Sequence, residues 1–214
     1  MIREIIHDDL LIKKLNLNTA QIKSDCYRLN GVLQRFDPKN MDYGGARFSE
    51  DMMLSVSNSA RLWKKYNTFF YPYDGLHQLY KSIRETFYEV KPKEYNGKYY
   101  IQSWMNFYTR GQFIDWHSHS NTEDRQFMSG YYCVYGEPSH TTVRYNDDKT
   151  YDIDNINDHL VFSKMGGKFV HSEHRTWPWN QDEPRISIAF EILHTEGIEH
   201  HFPENEMINH WVPI

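Results

Sequence analysis

The chain has 214 residues, a formal net charge of -5 with histidine neutral, and a heavy aromatic load of 16 Tyr, 12 Phe and 6 Trp. That length suits one domain with its own core. The acidic balance and the lack of long Lys/Arg runs exclude a nonspecific nucleic-acid binder and an electrostatic membrane anchor, and no apolar run reaches transmembrane length. The opening residues lack the apolar centre of a signal peptide, and two cysteines, Cys26 and Cys133, make no disulfide framework, so the expectation is a cytoplasmic protein.

Residues 2–6 read as a short strand, and 10–17 as a turn of helix or loop. Asn18-Thr19 offers an N-cap for a helix over 20–29. Residues 31–60 form a long polar stretch punctuated by Gly44-Gly45, of the kind that becomes a connection or a lid over a site. Leu76, Leu79, Ile83, Phe87 and Val90 follow helical spacing and predict a helix over 75–89.

Beyond residue 98 the period changes to two. Strands are expected at 99–108, 112–119, 127–135, 141–145, 151–155, 159–163, 168–171 and 185–192, separated by tight turns. Residues 195–214 read as a surface tail packed by Phe202, Trp211 and Val212. The expected architecture is mainly β with N-terminal helices. Residues 1–95 form a helical and loop support region and 96–214 a β core, in one compact domain. About eight short strands with such turns suggest a sandwich or barrel.

The chemistry concentrates in this β region. In Trp116-His117-Ser118-His119 the two histidines stand two apart, so on a strand both imidazoles share a face. Neutral imidazole is the commonest metal ligand among side chains. His171 follows a Gly166-Gly167 turn, with His174 three residues on as its rival and a solvated loop position as the expectation for His174. Arg185-Ile186-Ser187 again places two polar side chains on one face, and an Arg fork beside a hydroxyl suits a carboxylate. Three ligands on one side of a metal leave positions open for substrate or O2.

The segments Ser103-Trp-Met-Asn106, Trp116-His-Ser-His119, Gly130-Tyr-Tyr-Cys-Val-Tyr135, Glu137-Pro-Ser-His-Thr-Thr142 and Pro184-Arg-Ile-Ser-Ile-Ala-Phe190 resemble the iron(II)- and 2-oxoglutarate-dependent oxygenases. The resemblance covers about residues 100–192 and is greatest to the small prolyl-hydroxylase-like branch found in bacteria and phages. It implies a double-stranded β-helix, a jelly-roll barrel like that of the cupins. It implies Fe(II) on His117, His119 and His171, and 2-oxoglutarate on Arg185 and Ser187 with help from Asn106 or Tyr108. The implied reaction is hydroxylation of an unactivated C–H bond by O2, with release of succinate and CO2, on a small-molecule, amino-acid or peptidyl substrate. No catalytic residue beyond the metal ligands is expected, and no nucleic-acid or membrane partner; a homodimer stays open. One position departs from the family pattern: it usually has Asp or Glu where this chain has His119.

Two alternatives remain. Gly111-x5-His117-x-His119-x3-Glu123-x6-Gly130 fits the first cupin motif, which gives a metalloenzyme on His117, His119, Glu123 and His171 without 2-oxoglutarate. The other is a non-catalytic ligand-binding barrel. Trp177-Pro-Trp179 and the 172–182 loop are candidate walls of a substrate cleft.

Overall fold

A computed structural model of the chain describes residues 3–6, 10–36, 66–91, 93, 96–117, 126–144, 149–163, 173–194 and 211–214. Ten strands and two α-helices lie in this part: β1 (Arg3–Ile6), β2 (Leu10–Lys14), α1 (Thr19–Phe36), α2 (Asp74–Val90), β3 (Tyr99–Tyr108), β4 (Gln126–Tyr135), β5 (His140–Arg144), β6 (Thr150–Asp154), β7 (His159–Ser163), β8 (His174–Thr176), β9 (Arg185–His194) and β10 (Val212–Pro213). The strands make two antiparallel sheets. The larger has seven strands in the order β1-β2-β7-β4-β9-β3-β10, and the smaller has three in the order β6-β5-β8.

Alternation along the long strands sorts their side chains. In β9, Ile186, Ile188, Phe190 and Ile192 join Ile101, Met105 and Phe107 of β3 and Met128 and Tyr132 of β4 in the main core. The helices cover this face. Ile22, Cys26, Leu29 and Leu33 of α1 and Leu76, Leu79, Ile83 and Phe87 of α2 are buried in the same core. Those intervals of three and four residues are one stripe of a helix. The opposite face of the large sheet looks towards the small one. Leu10 and Val161 meet Val143 and Ile153 there in a second apolar cluster.

Several expectations are met closely. The helix predicted over 75–89 spans 74–90, and the strand predicted over 99–108 spans those residues. Asn18 accepts a bond from the Gln21 N–H at 3.1 Å, as a cap should. The helix behind it runs on to Phe36 because Leu33 extends its buried stripe past Gly31. Residues 10–14 are a strand and not a turn of helix: β2 pairs residue for residue with β7 from Leu10↔Ser163 to Lys14↔His159. A short apolar run has no decisive periodicity, so its pairing edge decides its state. The predicted strand at 168–171, most of the 31–60 stretch and most of the tail lie outside the described residues; Trp211 is buried and Val212 pairs with Ile101. No helix among the described residues is long and apolar enough to cross a membrane.

Polar ties hold the layers. Beyond its short pairing with β10, the outer edge of β3 is capped by side chains: Met105 donates its N–H to the Tyr66 hydroxyl at 2.7 Å, and Asn67 Nδ2 donates to the Ile101 carbonyl at 2.8 Å. At the helix crossing, Asp25 accepts the Gly75 N–H at 2.8 Å. A Cβ on Gly75 would lie 2.8 Å from that carboxylate and 3.0 Å from the Ile22 backbone, so the helices meet there only because residue 75 has none. Asp158 is the most connected tie. Its carboxylate accepts the Asn16 N–H at 2.8 Å, the Leu17 N–H at 3.0 Å and the Tyr132 hydroxyl at 2.9 Å. Truncating it strands three donors. Asp158→Ala is expected to cost about 3 kcal/mol, at one to three per unsatisfied buried group with partial rehydration; urea unfolding measures it, and an unchanged midpoint would refute the tie.

Candidate metal and dicarboxylate site

The space between the sheets is a cavity of about 110 Å³. Its floor is set by register. Tyr108 pairs with Arg185 and Asn106 with Ser187, so all four side chains share the inner face of β3 and β9. Thr141 of β5 and Thr176 of β8 face them across the gap as a pair in the small sheet. All six line the cavity.

Arg185 dominates this floor. It is 2% exposed, and no carboxylate among the described residues is paired with it. Its Nη2 lies 3.5 Å from the Thr141 hydroxyl, the limit of a hydrogen bond, and its guanidinium stands 4.8 Å from the centre of the Tyr108 ring. Its Nε has no partner, and neither has the neighbouring Asn106 Oδ1. Asn106 Nδ2 reaches the Ser187 hydroxyl only at 3.4 Å. A buried cation without a counter-charge is expensive. Such a floor can accept an anion, and a forked guanidinium matches a carboxylate in two places.

Nearby titrating groups stay neutral. Burial raises the Tyr108 phenol, while Arg185 and the Thr176 and Ser187 hydroxyls pull it the other way. Burial likewise pushes the Cys133 thiol up to about 12, against the pull of Arg185. Cys133 is therefore a protonated, buried side chain and no nucleophile at neutral pH.

The imidazoles sit higher in the cavity. His117 and His174 exchange both backbone bonds, at 3.0 and 2.9 Å, as an antiparallel bridge. Partners in such a bridge present side chains to the same face, and their ring centres are 4.2 Å apart. His117 Nδ1 lies 2.8 Å from the Asp115 carbonyl. A carbonyl only accepts, so Nδ1 carries the hydrogen and Nε2 keeps the lone pair, as a metal ligand requires. His174 and Thr176 are two apart on β8, and Thr176 is level with Thr141 beside Arg185. The imidazoles and the guanidinium are thus separated along the strands by ~7 Å, two residues of rise. That is the reach of a short dicarboxylate.

The stretch before His117 is not the strand expected over 112–119. Residues 112–116 have no regular ladder, and residues 118–125 lie outside the described part. Gly111 takes φ +84° in a turn closed by the Gln112 N–H on the Thr109 carbonyl at 2.9 Å, a conformation that favours glycine. Further on, the Ile114 N–H is taken by the Thr176 side chain, and the Trp116 N–H by Asp115 Oδ1. Backbone bonds from the Thr176 N–H to the Ile114 carbonyl at 2.8 Å and from the Trp179 N–H to the Gln112 carbonyl at 3.1 Å keep the segment beside β8, but side chains satisfy donors that a ladder would use, so it follows β8 as an irregular strip.

Among the predicted site residues, the structure brings His117, Arg185, Ser187, Asn106 and Tyr108 to one cavity. His119, His171 and Glu123 lie outside the described residues. His174 is half-buried on a strand against His117, not a solvated loop residue. Thr141, Thr176, Trp104 and Tyr131 also line the cavity and were not singled out. The alternation His174-x-Thr176 was the available signal for one of them. Trp179 is buried in packing with Tyr135 and Trp177 is 43% exposed; neither lines the cavity. Among the described residues no three His, Cys, Asp or Glu side chains converge on a metal position.

The fold recurs in solved structures. A prolyl-4-hydroxylase of Pseudomonas putida superposes with a TM-score of 0.54 at 13% identity, over 87% of this chain and 86% of its own. A viral collagen prolyl hydroxylase from Paramecium bursaria Chlorella virus-1, solved with 2-oxoglutarate, gives 0.53 at 14% identity over 88% and 98%. The chain has the prolyl-hydroxylase fold. A third such enzyme, from Trichoplax adhaerens and bound to a hypoxia-inducible-factor peptide, gives 0.52 at 13% identity over 87% and 98%. No family model and no curated protein matches the chain by sequence. The prolyl-hydroxylase fold is thus shared with enzymes of the kind that the motifs resemble.

An unpaired buried cation should also be a liability when the cavity is empty. Arg185→Met is expected to raise the melting temperature of the ligand-free protein, because an apolar side chain of similar length removes the desolvation cost. The same change should erase any stabilisation by added 2-oxoglutarate. Thermal unfolding with and without the diacid checks both signs.

Proposed function

We propose that the protein is an iron(II)- and 2-oxoglutarate-dependent hydroxylase. The observation that carries this reading is the unpaired Arg185 guanidinium on the floor of the cavity that His117 and His174 enter from above. We read the two sheets as a double-stranded β-helix, with residues 96–214 as its catalytic core and 1–95 as its support. Two free, buried cysteines suit work in the cytoplasm.

The donor set fits iron. His117 has its tautomer fixed by Asp115, and His174 presents a second imidazole beside it. We assign the distal ligand position to His174. The sequence alone had favoured His171, but the contact with His117 outweighs the position after the glycine turn. His119 is the third ligand in this reading. Iron(II) with 2-oxoglutarate would supply the activation of O2 and the oxidation of an unactivated C–H bond, releasing succinate and CO2.

The protein's own residues do the placing. Arg185 takes the far carboxylate, and the Ser187 hydroxyl and Asn106 amide lie beside it on the same face. Tyr108 closes the floor with a neutral phenol and Thr141 and Thr176 face it from the small sheet. The apolar pair Val143 and Val161 narrows the cavity and excludes water. Low local polarity strengthens each polar contact that remains. The substrate is an amino acid, a peptide or a small metabolite. The peptide held by the Trichoplax relative makes a peptidyl residue the first class to try.

Anaerobic titration with iron(II) and 2-oxoglutarate should produce the visible charge-transfer band of a metal-bound 2-oxo acid, and its absence would sink the assignment. His174→Ala should lose metal while His171→Ala retains it; the reverse result would return the distal position to His171. Arg185→Ala should weaken 2-oxoglutarate roughly 100-fold, about the worth of a charge-assisted bond pair at 3 kcal/mol, with little change in iron affinity.

A further inference from the structure

The outer face of the small sheet carries a stack of rings and cations directly behind the two imidazoles. Trp116 and Arg175 are the chain neighbours of His117 and His174. Successive side chains on an extended segment point to opposite faces, so this pair lies outside the wall where the histidines lie inside. The Arg144 guanidinium stands 4.1 Å from the centre of the Trp116 ring, and that of Arg175 stands 5.4 Å from it. Arg175 also covers Trp177 at 3.7 Å, and His140 follows with its ring 5.6 Å from Trp177. The order is therefore Arg144, Trp116, Arg175, Trp177, His140.

The stack spans three pieces of chain. Arg144 and His140 come from β5, Arg175 from β8 and Trp116 from the strip beside β8. Its far ends are pinned. Arg144 pairs with Glu173 at 2.8 Å. Trp177 donates its indole N–H to Thr142 at 2.8 Å, and Thr142 donates to Asp152 at 2.6 Å. Arg175 is half-buried, its Nε has no hydrogen-bond partner, and it pairs with no carboxylate among the described residues. Its two indole neighbours are its principal partners, which is the geometry of a cation held by ring faces.

The stack sits at the end of the strip where the strip's side chains reach the cavity. The strip's one regular bridge to β8 is that between His117 and His174; the only other backbone bond it makes to that strand is the Thr176 N–H on the Ile114 carbonyl at 2.8 Å, while the Ile114 N–H turns to the Thr176 side chain. We propose that Trp116 and Arg175 are positioning residues that lock this bridge from outside and so hold the two imidazoles at one spacing. Neither residue touches the cavity. This rests on the reading of His117 and His174 as metal ligands, and the test separates the two.

Cobalt(II) binding to the purified protein under argon serves as the probe, followed by its visible ligand-field spectrum and by competition with a chelator. Arg175→Ala should weaken cobalt affinity roughly 10- to 100-fold, the usual cost of losing an outer partner of a ligating histidine, and should shift the spectrum. Arg175→Lys should do nearly the same, because an ammonium cannot stack between two indoles as a planar guanidinium does. Trp116→Phe keeps a ring face and should bind near the wild-type level, while Trp116→Leu should behave like Arg175→Ala. Circular dichroism and thermal unfolding monitor the fold, and Trp116→Phe keeps the test open should Arg175→Ala fail to fold. Wild-type affinity and spectrum in Arg175→Ala and Trp116→Leu, with binding lost in His174→Ala, overturns the clamp alone. Cobalt binding that survives His117→Ala and His174→Ala overturns the ligand assignment and the clamp with it.

Discussion

A guanidinium kept from water at the bottom of a narrow cavity is the constraint from which the rest of this structure follows. Nothing in the described chain neutralises Arg185, so its surroundings must supply partial compensation. They do so with the face of Tyr108 and the hydroxyl of Thr141. Arg185, Tyr108 and the neighbouring Asn106 and Ser187 are held by strands whose opposite face is committed to the core under the helices. Moving any one of them by a single residue along its strand would exchange polar floor for apolar core. The anion site and the hydrophobic core are therefore written in the same strands, on alternate residues.

That double use explains what was legible in the sequence. Arg185-Ile-Ser-Ile-Ala-Phe-Glu-Ile alternates so cleanly that strand, faces and the Arg/Ser pair could all be read from it. The helix over 74–90 announced itself through five apolar residues at helical spacing. His117 was legible for its chemistry but not for its backbone. The strip around it is held by Thr176 and Asp115 side chains and by a glycine with positive φ. Bonds of that kind leave no periodic trace. His174 was harder still. A strand of three residues is too short for alternation to be seen, and its importance comes from a partner 57 positions earlier, at His117.

β2 teaches a similar lesson. Leu10-Leu-Ile-Lys-Lys carries the apolar content of a strand or of a helical turn with equal ease. What settles it is the unpaired edge of β7, which accepts all five residues in register. Lys13 then becomes a buried cation too, but one with a partner: it pairs with Glu89 of α2 at 2.7 Å. The contrast with Arg185 is informative. The same molecule compensates one buried cation with its own carboxylate and leaves the other without one among the described residues.

The two walls of the cavity also differ in how firmly they are built. The inner face of the large sheet stands on long strands paired on both sides and backed by two helices. The opposite wall ends in a strand of three residues and a strip joined to it by one regular bridge and one further backbone bond, the Thr176 N–H on the Ile114 carbonyl. Local opening free energy scales with the bonds and apolar contacts that must be given up. The anion floor should thus persist to temperatures and denaturant concentrations at which the imidazole wall has already frayed. In such a molecule mild stress loosens the cavity from one side first, and the guanidinium keeps its place after the imidazoles have lost theirs.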